Sequence, residues 1–390
     1  MRVSRRGQVD PFIVMDVMEA ARAAEAAGRS VIHMEVGQPG TGAPAGAVAK
    51  LAAQMAEAPL GYSVALGVPE LRARIAQRYG EMHNVDLDPN RVIVTSGASG
   101  AFLLSFTALF DTGARVGLGR PCYPSYRQIL RALALTPVDF ETTLAARMQP
   151  VPADVARHKL DGLITASPAN PTGAMLGRDE MAGLIGACDE AGASLISDEI
   201  YQGIGATRPV SALELTDEVH VINSFSKYFS MTGWRVGWMV VPQDHVRLVE
   251  RLAQNMFICA PHASQILALH AFDHTDELDE NCRNYATNRD LMIAGLKRAG
   301  LSRIAPPDGA FYIYADISAY SDDALALCNE ILEEAGVAVT PGLDFDPVDG
   351  HRWIRFSYAR AQADIVEGLV RLEAFFGARK MTEISNEGSV

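Results

Sequence analysis

The sequence has 390 residues, of which 48% are hydrophobic, and its formal net charge is −13 at pH 7. A chain of this length can bury a large core and form two or three domains. The acidic balance argues against a surface for nucleic acid or anionic membrane, and the five cysteines include no closely spaced pair that would indicate a metal ribbon or a disulfide framework. No apolar run is long enough to span a membrane, so we expect a cytoplasmic protein with neither nucleic-acid nor membrane partners and without a metal.

Apolar runs and helical periods alternate between residues 91 and 242. Strands that are spaced by helices predict a largely parallel sheet covered by helices on both faces. The predicted strands are 91–96, 114–118, 161–166, 194–197, 219–223 and 236–241, and the predicted helices are 100–110, 126–135 and 178–191.

The pattern becomes mainly helical beyond Pro242, and short strands return after Pro306. Apolar residues at intervals of three, four and seven between Leu278 and Leu296 predict one long helix. The later pattern predicts a second, smaller α+β unit, which the N-terminal segment is expected to join. Its predicted strands are 310–315, 337–340 and 353–358, and its predicted helices are 323–335 and 363–376.

Lys227 is the most informative residue of the sequence. It is one of five lysines, and it alone follows a strand-like apolar run and is flanked by hydroxyl and aromatic residues. Desolvation or a nearby cation lowers the pKa of such a lysine, so that the amine can form a Schiff base with an aldehyde. Arg235, eight residues later, could hold an anion on that aldehyde. An aldehyde that carries a phosphate is pyridoxal 5′-phosphate (PLP).

Three other segments follow predicted strands, at the edge where ligands of open parallel sheets bind. Small residues at 95–100 lead into a helix whose first amides can bind an anion. Residues 167–173 form a proline-rich segment, and Asp198 ends a strand in which an unpaired carboxylate would be costly. Each has an ordinary explanation as a turn or a helix cap. Together they supply the acid, the donors and the anion site that PLP requires beside a lysine.

These segments resemble the class I/II aminotransferases, which are PLP-dependent enzymes of fold type I related to aspartate aminotransferase. The resemblance extends from about residue 10 to residue 376, which is nearly the whole chain. Its most specific pieces are residues 170–173, residues 198–201 and the run from Ser224 to Gly237.

The family resemblance implies an α/β fold with two domains. A large PLP-binding domain with a mainly parallel seven-stranded sheet is expected over residues 45–288, and a smaller α+β domain over residues 1–44 and 289–390. The implied activity is transfer of an α-amino group from an L-amino acid to a 2-oxoacid, such as 2-oxoglutarate or pyruvate, by a ping-pong mechanism. The implied assembly is a homodimer with shared active sites.

The resemblance also assigns roles to particular residues around the cofactor. Lys227 would form the Schiff base and move the substrate proton, and Asp198 would keep the pyridine nitrogen protonated. Tyr201 and Asn170 would donate to the phenolic oxygen of the ring, and Tyr123 would stack on its face. The phosphate would be held by Ala98, Ser99, Ser224, Ser226 and Arg235, and Tyr62 would reach the phosphate of the neighbouring subunit.

Substrate contacts are expected from Arg355, whose guanidinium matches a carboxylate with two hydrogen bonds, from the backbone of Gly37, and from Asn170. No particular arginine can be assigned to a side-chain carboxylate. The apolar residues at the expected pocket entrance favour a neutral or broad range of side chains; they are Phe12, Ile13 and Met15.

Two other functions stay open from the sequence. A C–S β-lyase or a decarboxylating synthase on the same fold would share every residue named above. A non-enzymatic, aminotransferase-like regulator would carry a basic DNA-binding domain ahead of this fold. Only about thirty residues precede the segment at Gly37, and the charge is acidic, which disfavours a regulator.

Overall fold

The computed structural model describes the backbone of residues 1–387 and the side chains of residues 1–379. The helices are α1 (Ile13–Ala26), α2 (Ala45–Glu57), α3 (Pro69–His83), α4 (Gly97–Leu109), α5 (Pro124–Ala132), α6 (Pro152–His158), α7 (Arg178–Ala191), α8 (Val246–Met256), α9 (His262–Ala271), α10 (Thr275–Arg298), α11 (Ala324–Glu330) and α12 (Gln362–Glu387). The strands are β1 (Ile32–His33), β2 (Val92–Thr95), β3 (Arg115–Arg120), β4 (Thr136–Glu141), β5 (Gly162–Ala166), β6 (Ser194–Asp198), β7 (His220–Ser224), β8 (Gly237–Val240), β9 (Tyr312–Asp316), β10 (Val337–Ala338), β11 (Thr340–Pro341) and β12 (Trp353–Ser357).

The central sheet has seven strands in the order β2-β8-β7-β6-β5-β3-β4. Its strands run parallel except β8, which pairs antiparallel with both β2 and β7. All residues of β2, β7 and β8 are buried, as expected for a sheet covered on both faces. The predicted α/β fold with a mainly parallel seven-stranded sheet is confirmed.

Two smaller sheets lie outside the central one. An antiparallel sheet has the order β11-β12-β9, and β1 pairs in parallel with β10. The pairing of Ile32 with Val337 ties the N-terminal segment to the C-terminal part of the chain. The domain boundaries predicted after residues 44 and 288 stay predictions, and α10 runs without interruption across the second of them.

One strand prediction was wrong, and two strands, β1 and β4, were not predicted. Strand β4 was missed because polar residues and Pro137 interrupt its apolar pattern, which suits its place at the edge of the sheet beside β3. The strand predicted at 337–340 is two short strands that separate at Val339 and join different sheets. An apolar run in the sequence does not show with which other strands it will pair.

The parallel strands of the central sheet end at one common edge. The carboxyl ends of β2, β3, β5, β6 and β7 lie at this edge, and the antiparallel β8 begins there. Ligands of open α/β sheets bind at such an edge. Within residues 1–387, no helix is both long and apolar enough to cross a membrane.

Candidate active site

A pocket at the carboxyl edge of the central sheet collects eleven of the thirteen residues predicted for the site. Loops after several strands and residues from the antiparallel sheet contribute to its wall. The predicted residues that line it are Gly37, Ala98, Ser99, Tyr123, Asn170, Asp198, Tyr201, Ser226, Lys227, Arg235 and Arg355.

Ser224 and Tyr62 do not line this pocket. The Ser224 hydroxyl lies behind the wall, 2.9 Å from the Ser226 hydroxyl and 3.1 Å from the Val236 carbonyl oxygen. Tyr62 is 82% exposed, so one chain does not bring it into its own pocket. Its expected contact with a neighbouring subunit's phosphate stays a prediction.

Lys227 follows β7 and points into the pocket. Its Nζ donates to the Gly37 carbonyl oxygen at 2.5 Å. Burial lowers the pKa of Lys227 to about 7, helped by the positive charges of Arg355 and Arg235 and opposed by Asp198. About half of the amine is therefore neutral and nucleophilic at pH 7.

Asp198 is the last residue of β6, and its carboxylate lies at the bottom of the pocket. It accepts hydrogen bonds from the Tyr126 hydroxyl and, at 3.1 Å, from the Ile200 amide. Burial raises the pKa of Asp198 to about 6, although both hydrogen bonds and the Lys227 charge oppose the rise. A cationic group bound beside this carboxylate would favour its charged form.

The start of α4 and Arg235 lie side by side in the pocket wall, where they could hold an anion. Gly97 has a φ of +70°, and a Cβ there would lie 2.6 Å from Arg235 Nη2, so glycine lets the guanidinium approach the helix. Ala98 and Ser99 follow as the first residues of the helix, where unpaired amides and the helix dipole favour an anion. Arg235 Nη1 donates to the Thr232 carbonyl oxygen at 3.0 Å.

Arg355 lines the pocket from β12 of the antiparallel sheet. It is 3% exposed, and it donates to the Asn170 side-chain oxygen at 2.9 Å and to the Glu35 carbonyl oxygen. A further contact joins its Nη2 to the Thr340 hydroxyl at 3.3 Å. No carboxylate pairs with Arg355 among the described side chains, and a buried cation without a counterion indicates a site for an anionic ligand.

Two tyrosines of the pocket were not predicted. Tyr126 donates to Asp198, and Tyr312 places its hydroxyl 2.7 Å from that of Tyr201. Both are nearly fully buried and lie in aromatic or apolar stretches, so their sequence context is that of ordinary core residues. Only the position of Tyr126 close behind Tyr123 offered a signal.

The N-terminal segment covers the mouth of the pocket with apolar side chains. The Phe12 ring meets the Tyr123 ring edge to face at 5.9 Å, and Val14 and Met15 also line the pocket. Ile13 was expected there, but it packs into a small cluster around α1. The Asp344 carboxylate holds this helix start, since it accepts from the amide of Ile13 at 3.0 Å.

Comparisons with known proteins decide the family. Residues 29–372 match the model of the family described as aminotransferase class I and II. The chain belongs to this family. A valine–pyruvate aminotransferase from Mycobacterium tuberculosis is 44% identical over 378 residues, covering 95% of this chain and 97% of the relative.

Solved structures confirm the fold type I assignment. A crystal structure of a protein from Silicibacter pomeroyi is 64% identical, with a TM-score of 0.93 over 97% of this chain and all of that chain. An aspartate aminotransferase from Thermus thermophilus, solved with maleate, is 28% identical, with a TM-score of 0.89 over 96% of this chain and all of that chain. This chain is therefore an aminotransferase, and the class I and II family is generally PLP-dependent.

The pocket of this aminotransferase fits the chemistry of PLP. A neutral amine, a buried carboxylate and an anion site are what an aldehyde, a pyridine nitrogen and a phosphate require. Lys227, Asp198 and the site formed by Arg235 with the start of α4 supply them in one cavity. Tyr123 lines the same cavity, and its aromatic ring would suit stacking on a planar cofactor ring.

Proposed function

We propose that this aminotransferase uses PLP to transfer the α-amino group of an L-amino acid to a 2-oxoacid by a ping-pong mechanism. Lys227 would bind the aldehyde of PLP, and Asp198 would face its pyridine nitrogen. Tyr201 and Asn170 would donate to the ring oxygen, and Tyr123 would stack on the ring.

The remaining residues would hold the cofactor phosphate and the substrate carboxylate. Arg355 would bind the α-carboxylate of both substrates, with Asn170 and the backbone of Gly37 beside it. The phosphate would lie at Ala98, Ser99, Ser226 and Arg235, with Ser224 supporting Ser226 and with Tyr62 reaching across from the neighbouring subunit.

Bound PLP would supply an electron sink that stabilises the carbanion left when the substrate loses its α-proton. Lys227 is the group placed to move that proton. Its low pKa makes the amine a usable base near neutral pH, and burial excludes water that would compete for the proton. Asp198 keeps a negative charge beside the cofactor nitrogen, which favours the protonated form of the ring.

The observation that carries the proposal is the meeting of Lys227 and Arg355 in one cavity. Lys227 follows the central sheet, whereas Arg355 belongs to the antiparallel sheet, and both contact the short segment 35–37. An amine and a buried guanidinium without a counterion in one pocket suit an α-amino acid, which carries an amine and a carboxylate on the same carbon.

We further propose that the preferred donors have uncharged, apolar side chains. Among the described residues that line the pocket, Arg235 and Arg355 are the arginines, and each already has a proposed partner. The rest of the outer wall is apolar. A carboxylate on the donor's side chain would therefore lose its water there with no cation to compensate. The relative named valine–pyruvate aminotransferase supports apolar side chains in the donor and favours pyruvate as an acceptor. The apolar wall residues are Phe12, Val14, Met15, Val36 and Ile129.

The proposal includes a cytoplasmic homodimer. The five cysteines are unpaired in the structure, which suits a reducing compartment. Tyr62 is a large aromatic side chain left exposed on the chain, and aromatic residues are enriched at protein interfaces. Two-fold pairs are also the commonest assembly of soluble oligomers.

A panel of amino donors tests the proposed reaction. The purified protein would be loaded with PLP and given valine, leucine or aspartate, each with pyruvate, with 2-oxoglutarate or with no acceptor. Alanine would be tested with 2-oxoglutarate or with no acceptor, because alanine and pyruvate exchange without net change. We expect the aliphatic donors to give more than one equivalent of their 2-oxoacids per site only when an acceptor is present, and aspartate to react at least tenfold more slowly. Half-reactions without acceptor should convert one equivalent of cofactor and stop.

A sulfur-containing donor separates transamination from lyase chemistry. Continuous release of ammonia and pyruvate from cysteine without an acceptor would show a C–S β-lyase and contradict the proposal. Lys227→Ala is the negative control, and Lys297→Ala, which changes a lysine on α10 outside the pocket, is the matched positive control.

A further inference from the structure

Tyr312 is a buried pocket residue to which neither the sequence resemblance nor the proposed function gives a role. It begins β9, where it pairs with Ser357 of β12, and it is 1% exposed. Arg355 lies two residues from Ser357 on the same face of the sheet, so the two side chains are diagonal neighbours. The Arg355 guanidinium carbon lies 4.5 Å from the centre of the Tyr312 ring.

The Tyr312 hydroxyl reaches two other parts of the site. It lies 2.7 Å from the Tyr201 hydroxyl. It also fills space beside Gly37, because a Cβ at that position would lie 1.9 Å from the Tyr312 oxygen. Gly37 in turn accepts from Lys227, so Tyr312 packs where the proposed cofactor and carboxylate sites meet.

The direction of the contact between the two phenols follows from the proposed function, on which this inference rests. Burial raises the pKa of both Tyr201 and Tyr312, so each keeps its proton at neutral pH. Only one O–H can lie along the line between the two oxygens. If Tyr201 donates its proton to the ring oxygen of PLP, Tyr312 must be the donor to Tyr201.

We propose that Tyr312 is a positioning residue whose hydroxyl donates to Tyr201 and thereby directs the Tyr201 proton toward the ring oxygen of PLP. A hydrogen bond received by Tyr201 polarises its own O–H and strengthens the bond that it donates. The Tyr312 ring supports Arg355 separately, by stacking on the guanidinium. A phenylalanine would keep the stacking and the packing, and it would lose only the hydroxyl.

The alternative is that Tyr312 is an ordinary core aromatic residue whose hydroxyl is hydrogen-bonded only because it is buried. Tyr314 is its natural comparison, because it is equally buried, lies on the same face of β9 and stacks on Trp353. The Tyr314 hydroxyl has no hydrogen-bond partner among the described residues. If the hydroxyl of Tyr312 acts only in packing, Tyr312→Phe and Tyr314→Phe should behave alike.

The pH titration of the visible absorbance of bound PLP tests the proposal. A donor on the ring oxygen lowers the pH at which the linkage to Lys227 loses its proton. Tyr312→Phe should therefore raise that midpoint by about 0.3–1 unit, whereas Tyr314→Phe should leave it unchanged. The KM for the amino donor should stay within about twofold of the parent, because the ring that supports Arg355 is retained.

A double-mutant comparison makes the result specific to Tyr201. In a Tyr201→Phe background the midpoint should already be raised, and adding Tyr312→Phe should shift it no further. An unchanged midpoint in Tyr312→Phe, or equal shifts in both backgrounds, would overturn the proposal. A parent protein with no visible PLP band would instead contradict the proposed function. Thermal unfolding of each variant, with Tyr314→Phe as reference, shows whether the fold is retained.

Discussion

The Arg355 guanidinium donates to the Asn170 side-chain oxygen at 2.9 Å, although 185 residues separate the two in the chain. This bond joins β12 of the antiparallel sheet to the loop after β5 of the central sheet. In the proposed function Asn170 contacts the cofactor and Arg355 contacts the substrate carboxylate. The bond therefore links the two proposed sites, and Arg355 has no anionic partner among the described side chains.

Arg355→Lys should weaken binding of the amino donor and the 2-oxoacid alike, because an ammonium cannot reproduce two parallel hydrogen bonds to a carboxylate. We expect a loss of about 2–4 kcal/mol in apparent specificity, measured as kcat/KM for both substrates, with the PLP absorbance unchanged. Arg303→Lys, which alters a more exposed arginine paired with Asp316, should leave kcat/KM near the parent value. If Arg355→Lys kept its kcat/KM, another residue would bind the carboxylate.

Asp198→Asn should keep PLP bound but reduce turnover about a hundredfold or more, equivalent to about 3 kcal/mol of barrier. A neutral amide cannot favour a protonated pyridine nitrogen, so the carbanion is less stabilised. Glu199→Gln provides the control, because the neighbouring carboxylate accepts from Ser211 and Ala212 instead of facing the pocket. Near-normal turnover in Asp198→Asn would mean that Asp198 has only a structural role.

Much of the site could be predicted because its residues follow apolar strands. Asp198 and Lys227 each come where a buried run gives way to polar residues, and parallel strands end at one edge. Chain order then predicted which strand ends lie together, whereas the roles of Tyr123, Gly37 and Arg355 came from the family resemblance. The alternation of strands and helices predicted a largely parallel sheet with six of its strands, and the family resemblance supplied the expectation of seven.

The parts that were missed depend on contacts between distant segments. Tyr312 meets Tyr201 across 111 residues, and Asp344 holds the start of α1 across 331. Neither contact leaves a local pattern, since an aromatic residue in a strand and an acid in a turn are both common. Ser224 is a different case. Its position in the sequence matches a phosphate ligand of the family, but in the structure its hydroxyl lies behind Ser226 and does not line the pocket.

The rate at which PLP is taken up by cofactor-free protein should depend on the pKa of Lys227. Only the neutral amine adds to the aldehyde, and the pKa of Lys227 is lowered to about 7. The rate of growth of the visible band should therefore rise with pH and level off above about pH 7, and it should fall as lower pH protonates the amine.

Arg355→Gln should move this midpoint upward, since Arg355 supplies the largest of the charge effects that lower the pKa of Lys227. Stopped-flow absorbance between pH 5.5 and 10 would follow both proteins. A rate in the parent that continued to rise through pH 9 would show an amine with an ordinary pKa and contradict the electrostatic account.

Subunits that share active sites should restore activity in a mixed dimer. Lys227→Ala removes the proposed catalytic amine, and Tyr62→Phe removes the hydroxyl expected to reach the neighbouring phosphate, at a cost of about tenfold in PLP affinity. After subunit exchange, one site of the hybrid would carry both changes and the other neither. Activity at limiting PLP should exceed the average of the two parent dimers. A fully active monomer in sedimentation would rule out sharing.

The central claim is that Lys227 carries the cofactor, and covalent trapping tests it most directly. Borohydride reduction of the PLP-loaded protein should fix the cofactor to a single lysine, which peptide mass spectrometry would locate. The account predicts one modified peptide, containing Lys227, and no such adduct in Lys227→Ala. An adduct at Lys50, Lys159, Lys297 or Lys380 with Lys227 unmodified would contradict the account.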